Sequence, residues 1–397
     1  MRYSSDSTFK RLRVKTNLVC LIFLLGVHVA WADPDNNAAA TDGDSSFKFS
    51  GFLSVIAGKV LGGSYNGTMG AYNYQCPCYI ADWANGGVYR SNWSLEPETH
   101  GGVQIDYTLN NSISATVQIT SRGPDVTPQF QYAFIDYKID GHWNVHVGRE
   151  RLPLYYYSDF QDIGVAYPWV SPPAEVYGWE VTNFNGASIH YKNVFGGIRT
   201  NAEVYGGSER VSNAAEIAFV TYPPVQGNAY WRDIFGAEAE FSHSFWTLHT
   251  NFMTALNSWN GFSGENLATQ RITIMGLAAN LDFDDWFVVS EGGQFQRNNY
   301  LYGYTEKNPS YSIGVGYRYG AWTPLVNYAK YVDHYTYQTA QPAIPQFPNG
   351  GWGATLRYDI DPKSDIKIQF DKFQDWSQGS DFSGNARVFR LSYDIVF

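Results

Sequence analysis

The stretch "RLSYDIVF", residues 390–397, alternates apolar and polar residues up to a final phenylalanine. Alternation with a period of two indicates a β-strand that has one apolar face. Chain ends usually fray in soluble proteins, so an aromatic, strand-like tail needs something to cover its apolar row. That row consists of Leu391, Tyr393, Ile395 and Phe397.

The same alternation recurs along the chain, for example in "SISATVQITSR", residues 112–122. Ile113, Ala115, Val117 and Ile119 lie on one face of that segment, and polar residues lie on the other. Segments of this kind predict sixteen strands, at 47–60, 100–109, 112–122, 129–139, 143–151, 183–192, 196–206, 232–242, 245–256, 271–281, 286–297, 310–319, 322–333, 351–360, 365–376 and 387–397.

The connections between these strands are alternately tight and long, which is typical of outer-membrane barrels. Tight turns include Asp140-Gly141, and the long loops include 61–99 and 152–182. In lipid a sheet must close, since an open edge would leave backbone N–H and C=O groups without partners. The sequence therefore predicts an all-β protein, a transmembrane antiparallel up-and-down β-barrel of 16 strands. Residues 390–397 form its closing strand, lipid covers their apolar row, and the lumen holds water.

Aromatic residues collect at the turn end of the predicted strands. Trp143, Trp246, Trp286 and Trp322 each open the strand that follows a tight turn. Tyrosines lie near the ends of strands that run into tight turns, at Tyr107, Tyr137, Tyr191 and Tyr358. Indole and phenol rings at one depth predict a girdle at the membrane interface.

The beginning of the chain reads as a secretory signal peptide over residues 1–32. A basic run precedes the apolar stretch "LVCLIFLLGV", and the pattern Ala30-Trp31-Ala32 predicts cleavage after about Ala32. The apolar stretch is shorter than the ~20 residues of a spanning helix. Residues 33–46 form a polar leader, which we expect to be disordered, and residues 47–397 form the barrel.

The charge balance argues against nucleic acid as a partner. Removal of residues 1–32 takes away five of the 27 basic and one of the 37 acidic residues, which leaves a net charge of −14. Nucleic-acid-binding domains carry a basic surface instead. Only 16% of the residues are charged and 17% are aromatic, a composition that fits a barrel in lipid.

These features resemble the trimeric general porins of Gram-negative outer membranes, over residues 47–397. The resemblance rests on the strand count, the loop order, the "GR" at 148–149 before a long third loop, and the tail. It implies passive diffusion of small hydrophilic solutes and ions, a homotrimer in contact with lipid and lipopolysaccharide, and a third loop folded into the lumen. It also implies that the barrel-assembly machinery reads the tail as its signal, through Phe389, Leu391, Tyr393, Ile395 and Phe397.

The third loop, 152–182, is the candidate pore constriction, because long ordered loops usually have a function. Its acidic residues are Asp159, Asp162 and Glu175. We expect arginines to face them: Arg122, which alternation places inward, together with Arg149 and Arg151. Carboxylates opposite guanidiniums would make a field across the pore that selects weakly by charge, with a mild preference for cations.

The alternation of residues 143–151 complicates this assignment. Trp143, Val145 and Val147 face outward, which would turn Arg149 and Arg151 outward as well. A bulge at Gly148 would reverse the phase, and arginines facing lipid at mid-depth are costly. We therefore predict a bulge at Gly148; the alternative places both arginines at the headgroups.

Three further readings follow from side-chain chemistry. A substrate-specific channel, selective for sugars or anions, is the alternative function; an aromatic slide for sugars could come from Tyr155, Tyr156, Tyr157, Tyr167 and Trp169. A barrel enzyme is less favoured, because His190, His249 and His334 lack a serine partner at a spacing that would indicate a catalytic pair.

The two cysteines of the first loop, Cys76 and Cys78, favour a local disulfide over a metal site, because they lie in an oxidising compartment. We expect no cofactor, metal or catalytic residues.

Overall fold

The structure is a computed structural model that describes residues 45–67, 75–124, 127–220, 227–260, 269–299, 303–337 and 346–397. The predicted signal peptide, residues 1–32, lies outside the described residues. The predicted leader, residues 33–46, also lies outside them except for its last two residues.

Sixteen strands form the wall, each hydrogen-bonded in antiparallel fashion to its neighbour along the chain. They are β1 Ser46–Ser64, β4 His100–Thr108, β5 Ile113–Arg122, β6 Gln129–Lys138, β7 Trp143–Arg151, β8 Asn183–Phe195, β9 Ile198–Val211, β10 Asn228–His243, β11 Trp246–Asn260, β12 Gln270–Phe283, β13 Trp286–Asn299, β14 Tyr304–Tyr317, β15 Trp322–Tyr331, β17 Asn349–Asp361, β18 Ser364–Asp375 and β19 Asn385–Val396.

The remaining elements are short and lie in the loops. A hairpin of β2 (Tyr79–Asp82) and β3 (Gly87–Tyr89) occupies the first loop. β16 (His334–Tyr337) follows β15 and pairs with the beginning of β14. The helical elements are α1 (Ala174–Tyr177), α2 (Ala215–Val220) and two 3₁₀ turns, Ser158–Phe160 and Gly164–Ala166. Among the described residues, no helix combines the length and the apolar character needed to cross a membrane.

The sheet closes where its last strand meets its first. β19 pairs with β1 from Phe52 opposite Val396 to Ser64 opposite Asn385. β1 also pairs with β4, so neither strand leaves an open edge. The closed 16-stranded antiparallel barrel that the sequence predicts is therefore confirmed.

The two faces of the wall differ as the alternation predicts. On β18, Ile366, Ile368 and Phe370 point outward and are exposed, whereas Asp365 and Lys367 point inward and are 0% exposed. The outward residues form an apolar surface, which is what a transmembrane barrel presents to lipid.

Aromatic rings pair across neighbouring strands near the tight turns. Trp143 contacts Tyr191 with ring centroids 4.6 Å apart. Trp286 contacts Tyr317, and Trp322 contacts Tyr358, at 4.7 and 4.6 Å. The three tryptophans are exposed, so they lie on the outer face at the depth predicted for the girdle. Trp246, the fourth tryptophan of the predicted set, is half-buried.

Part of the barrel interior is packed with apolar side chains, which the sequence analysis did not anticipate. A buried cluster joins the start and end of the third loop to helix α2 and to the inner face of β8–β13; its largest members are Trp179, Phe184, Tyr205, Trp231 and Phe295. The rings of Trp179 and Phe295 stack with centroids 3.8 Å apart. The loop-side half of the interior near these strands is thus a hydrophobic core.

Candidate functional site

The third loop, residues 152–182, is tied to inward-facing side chains on opposite sides of the strand ring. On β4, a ring nitrogen of His100 lies 2.8 Å from the carbonyl oxygen of Asp162. On β18, Lys367 Nζ donates a hydrogen bond to the carbonyl of Gly164 at 2.6 Å. On β11, the side-chain amide of Asn251 donates to the carbonyl of Leu154. β11 lies across the ring from β4 and β18, which are separated from each other by β19 and β1 alone. The contacts therefore fix the loop to opposite walls.

The central charge group of the loop is Asp162, which binds two of the predicted arginines. Arg122 and Arg151 each donate a hydrogen bond from Nη2 to its carboxylate. Burial would raise the pKa of Asp162, but the two guanidiniums overcome this effect and hold it at about 2. The predicted acidic and basic groups are therefore in direct contact here instead of facing each other across open water.

The other two predicted acidic residues lie apart from this group. Asp159 is exposed to the barrel interior, yet the surrounding protein desolvates it enough to raise its pKa to about 6, and Glu238 adds to the shift. Glu175, in α1, has its pKa raised to about 7, mainly by burial and further by Asp371. Both carboxyl groups therefore titrate close to neutral pH.

Arg149 does not join the group around Asp162. Its Nε donates to the carbonyl of Phe130 at 2.6 Å, and its Nη1 donates to Glu209 at 2.5 Å. The predicted bulge at Gly148 is wrong, because Gly148 stays in register with Phe134 on one side and with Gly186 on the other.

The register shift lies one strand earlier, on β6. Tyr132 pairs with Gln118 and Phe130 pairs with Ile119, so Gln131 is the extra residue. Arg151 reaches the interior by a different route: it is the last residue of β7, where the chain leaves the sheet to enter the loop.

The aromatic residues of the loop form a packed cluster. Tyr157, Tyr167 and Trp169 are buried together against Phe287 and Leu325 of the wall. Tyr155 packs against the apolar core described above, and the rings of Tyr156 and Tyr157 make a T-shaped contact with centroids 4.9 Å apart. These rings stiffen the loop. Tyr156, Tyr157 and Tyr167 also line a cavity inside the barrel, and the aromatic slide stays a prediction.

Two cavities border the loop on its opposite sides. The one at the turn end of the barrel has a volume of about 400 Å³ and is lined by Tyr156, Tyr167, Arg318 and Arg357, among others. The one at the loop end has a volume of about 240 Å³, and Trp179, Glu175 and Arg297 contribute to its lining. Parts of the third loop therefore separate the two spaces.

Ion pairs of mixed sign line the inner wall beside the loop. Lys367 Nζ lies 3.0 Å from Asp394 and 3.3 Å from Asp365. Arg390 bridges Glu98 and Asp371 at 2.8 and 3.0 Å. The alternation of polar and apolar residues along β18 and β19 is consistent with the inward orientation of Lys367 and Arg390, which are both buried. It could not reveal which distant loop atoms they contact, since those contacts depend on the path of the loop.

The remaining predicted residues lie away from the interior. Cys76 and Cys78 form a disulfide in the first loop. The tail residues alternate as expected, with Leu391, Tyr393 and Phe397 exposed on the outer face; Phe389 and Ile395 are half-buried there.

No protein-family model matches the chain, and no curated protein matches it in sequence. Solved outer-membrane structures do share its fold. A trimer form of OmpT, an outer membrane protein of Vibrio cholerae, is 9% identical with a TM-score of 0.53, covering 89% of this chain and 99% of its own. The anion-selective porin of Comamonas acidovorans is 12% identical with a TM-score of 0.55, covering 89% and 100%.

The outer membrane channel DcaP of Acinetobacter baumannii is 10% identical with a TM-score of 0.55, covering 89% of this chain and 97% of its own. The similarity extends over nearly the whole of each solved chain. At these identities it shows that the barrel has the porin fold.

Proposed function

We propose that the protein is a porin of the bacterial outer membrane, through which small hydrophilic solutes and ions diffuse passively. The observation that carries the proposal is the division of the wall into an apolar outer face and a charged inner face. Such a wall shields its own backbone from lipid while keeping polar side chains in contact with water inside. The porin fold of the solved structures described above supports the same function.

The third loop constricts the channel. Its contacts with β4, β11 and β18 hold it between opposite walls, and the aromatic cluster keeps it rigid. Solutes that pass the loop would meet the exposed carboxylate of Asp159. Two carboxylates, Asp162 and Asp82, balance the charges of Arg122 and Arg151. The other acidic groups beside the loop then outweigh the basic ones, which favours a mild preference for cations.

The interior transports solutes and does not catalyse a reaction. One serine does lie close to a histidine: Ser188 Oγ is 2.8 Å from Nε2 of His190, a pair that the sequence analysis missed. Ser188 is only 1% exposed, and its hydroxyl donates to Glu150. A nucleophile has to reach its substrate, and this hydroxyl is covered.

A channel selective for particular sugars is the second candidate, favoured by the cavity at the loop end. Its lining combines the rings of Trp83, Trp179 and Trp259 with the charged groups of Arg297 and Glu306. Apolar surfaces with a few convergent polar groups are typical of small-molecule sites. The acidic residues nearby make selection of anions less favourable.

Association follows from the same proposal. We infer a homotrimer, consistent with the trimer form of the Vibrio cholerae protein of the same fold. Lipid and lipopolysaccharide would contact the apolar outer face, and the barrel-assembly machinery would read the tail during folding.

Swelling of liposomes that contain the protein tests the function. Swelling rates in a series of neutral sugars should fall smoothly with molecular size if the channel is general. A rate that is high for one sugar and low for others of the same size would favour the selective channel. Absence of swelling with correctly folded protein would contradict both.

A further inference from the structure

A group of two histidines and a glutamate occupies the inner wall on β7 and β8, beyond the loop contacts described above. His146, Glu150 and His190 each offer one ligand atom, and these atoms all lie within 4.8 Å of one another. His146 Nδ1 is 2.7 Å from Glu150 Oε2, and His190 Nε2 is 3.7 Å from the same oxygen.

The local backbone explains why these side chains can meet. His146, Gly148 and Glu150 follow one another on the inner face of β7, and Gly148 has no side chain to separate its neighbours. Across the strand pair, Gly148 is opposite Gly186 of β8, another residue without a side chain. The carboxylate of Glu150 is thereby free to lie against the ring of His146.

Each histidine also has a carboxylate on its far side. Asp136 of β6 is opposite His146 in the register, and its oxygen lies 3.2 Å from Nε2. Glu203 of β9 is opposite His190, with its oxygen 3.6 Å from Nδ1. Metal-binding histidines usually donate their second ring N–H to such a carboxylate, which fixes the tautomer and the ring orientation.

We propose that His146, Glu150 and His190 bind a divalent transition-metal ion of the zinc class on the channel wall. Two imidazoles and one carboxylate suit Zn²⁺, whereas Mg²⁺ and Ca²⁺ prefer oxygen ligands alone. Bonds of ~2.0–2.1 Å in a tetrahedron place ligand atoms ~3.3 Å apart. The two distances to Glu150, 2.7 and 3.7 Å, are within 1 Å of that value, and the two histidine nitrogens, which lie within 4.8 Å of each other, approach each other by at most ~1.5 Å. Water from the lumen completes the coordination.

The side chains of His146 and His190 are 16% and 17% exposed, so an ion can reach the site from the interior. Asp136 and Glu203 act as positioning residues. They orient the two rings without contacting the metal.

The test is titration of the full mature chain, folded in detergent without a histidine tag and stripped of metal, with ZnCl₂ in a calorimeter. We expect one Zn²⁺ per chain, and no binding of Mg²⁺ under the same conditions. Substitution His190→Gln removes a ligand and should weaken zinc binding at least ~10-fold. Glu203→Gln removes the carboxylate that orients the ring of His190 and should weaken zinc binding ~10–100-fold.

The matched control is His249→Gln. His249 pairs with one carboxylate, Glu238, at 2.9 Å. Among the described residues it belongs to no group of three possible metal ligands. Its substitution should leave zinc binding unchanged. If His190→Gln does not fold, two other measurements test the site. Glu203→Gln should still weaken zinc binding, and the wild type loaded with Co²⁺ should absorb strongly in the visible range, as tetrahedral Co²⁺ does. Wild-type protein that binds no zinc, or variants at 190 and 203 that bind it as the wild type does, would overturn the proposal.

Discussion

Gly51 and Phe397 exchange two backbone hydrogen bonds, of 2.9 and 3.0 Å, where the barrel closes. The ring of Phe397 also covers Gly51 so closely that a Cβ added there would lie 2.5 Å from the ring atom Cζ. The last residue of the chain is thus held by the first strand through both its backbone and its side chain.

A larger residue at position 51 should therefore impair closure. We expect Gly51→Leu to cost about 1–3 kcal/mol of stability through overpacking and to lower the yield of folded barrel. The folded fraction is measured by the mobility of unheated samples on SDS gels. Gly141→Leu is the matched control, because a Cβ at Gly141 meets nothing within 4 Å. Equal yields for the two variants would contradict the role of the contact.

The ion group at Asp162 should govern charge selection. Asp162→Asn removes the carboxylate, which leaves Arg151 without this ion-pair partner and Arg122 with Asp82 at 3.8 Å. Breaking a buried ion pair costs ~3–5 kcal/mol. We expect the substitution to shift the reversal potential under a salt gradient toward anions by more than Asp159→Asn, which removes one exposed charge. A smaller shift for Asp162→Asn than for Asp159→Asn would show that the arginines do not reach the ion path.

The raised pKa values of two loop carboxyls predict a pH dependence of selectivity. Asp159 and Glu175 have pKa values of about 6 and about 7, so both are charged at pH 8 and mostly neutral at pH 5. Cation preference should therefore decrease as the pH falls from 8 to 5. A double variant, Asp159→Asn with Glu175→Gln, should lose this decrease; if it retains the full decrease, other groups are responsible.

Rigidity of the third loop should limit the current. Replacing residues 156–169 with glycine and serine at equal length removes the aromatic cluster and the charge of Asp162 together. We expect single-channel conductance to rise severalfold, because the altered loop no longer packs against Phe287 and Leu325. Unchanged conductance in a variant that still folds would mean that the narrowest point lies elsewhere.

The fold could be predicted from the sequence because the determining signal is local. Alternation within β7 and β18 assigns each residue to a face without reference to any other strand, and the predicted bounds of β7, 143–151, agree with the structure. The even count and the tight turns then fix the order of the strands around the ring.

The interior could be predicted only in part, because its contacts join distant segments. Alternation placed Arg122 inward but could not show that Asp162 would bind it. The buried core around Trp179 and Trp231 was missed since alternation identifies the inner face and not what fills it. The position of Arg151 depends on where the chain leaves the sheet, which periodicity does not reveal.

Conductance across a planar lipid bilayer tests the channel most directly. Purified, folded protein added to one side should give large, steady current steps that arrive in groups of three, with weak ion selectivity. Folded protein that inserts into the bilayer and passes no current would contradict the proposal that the barrel is an open channel.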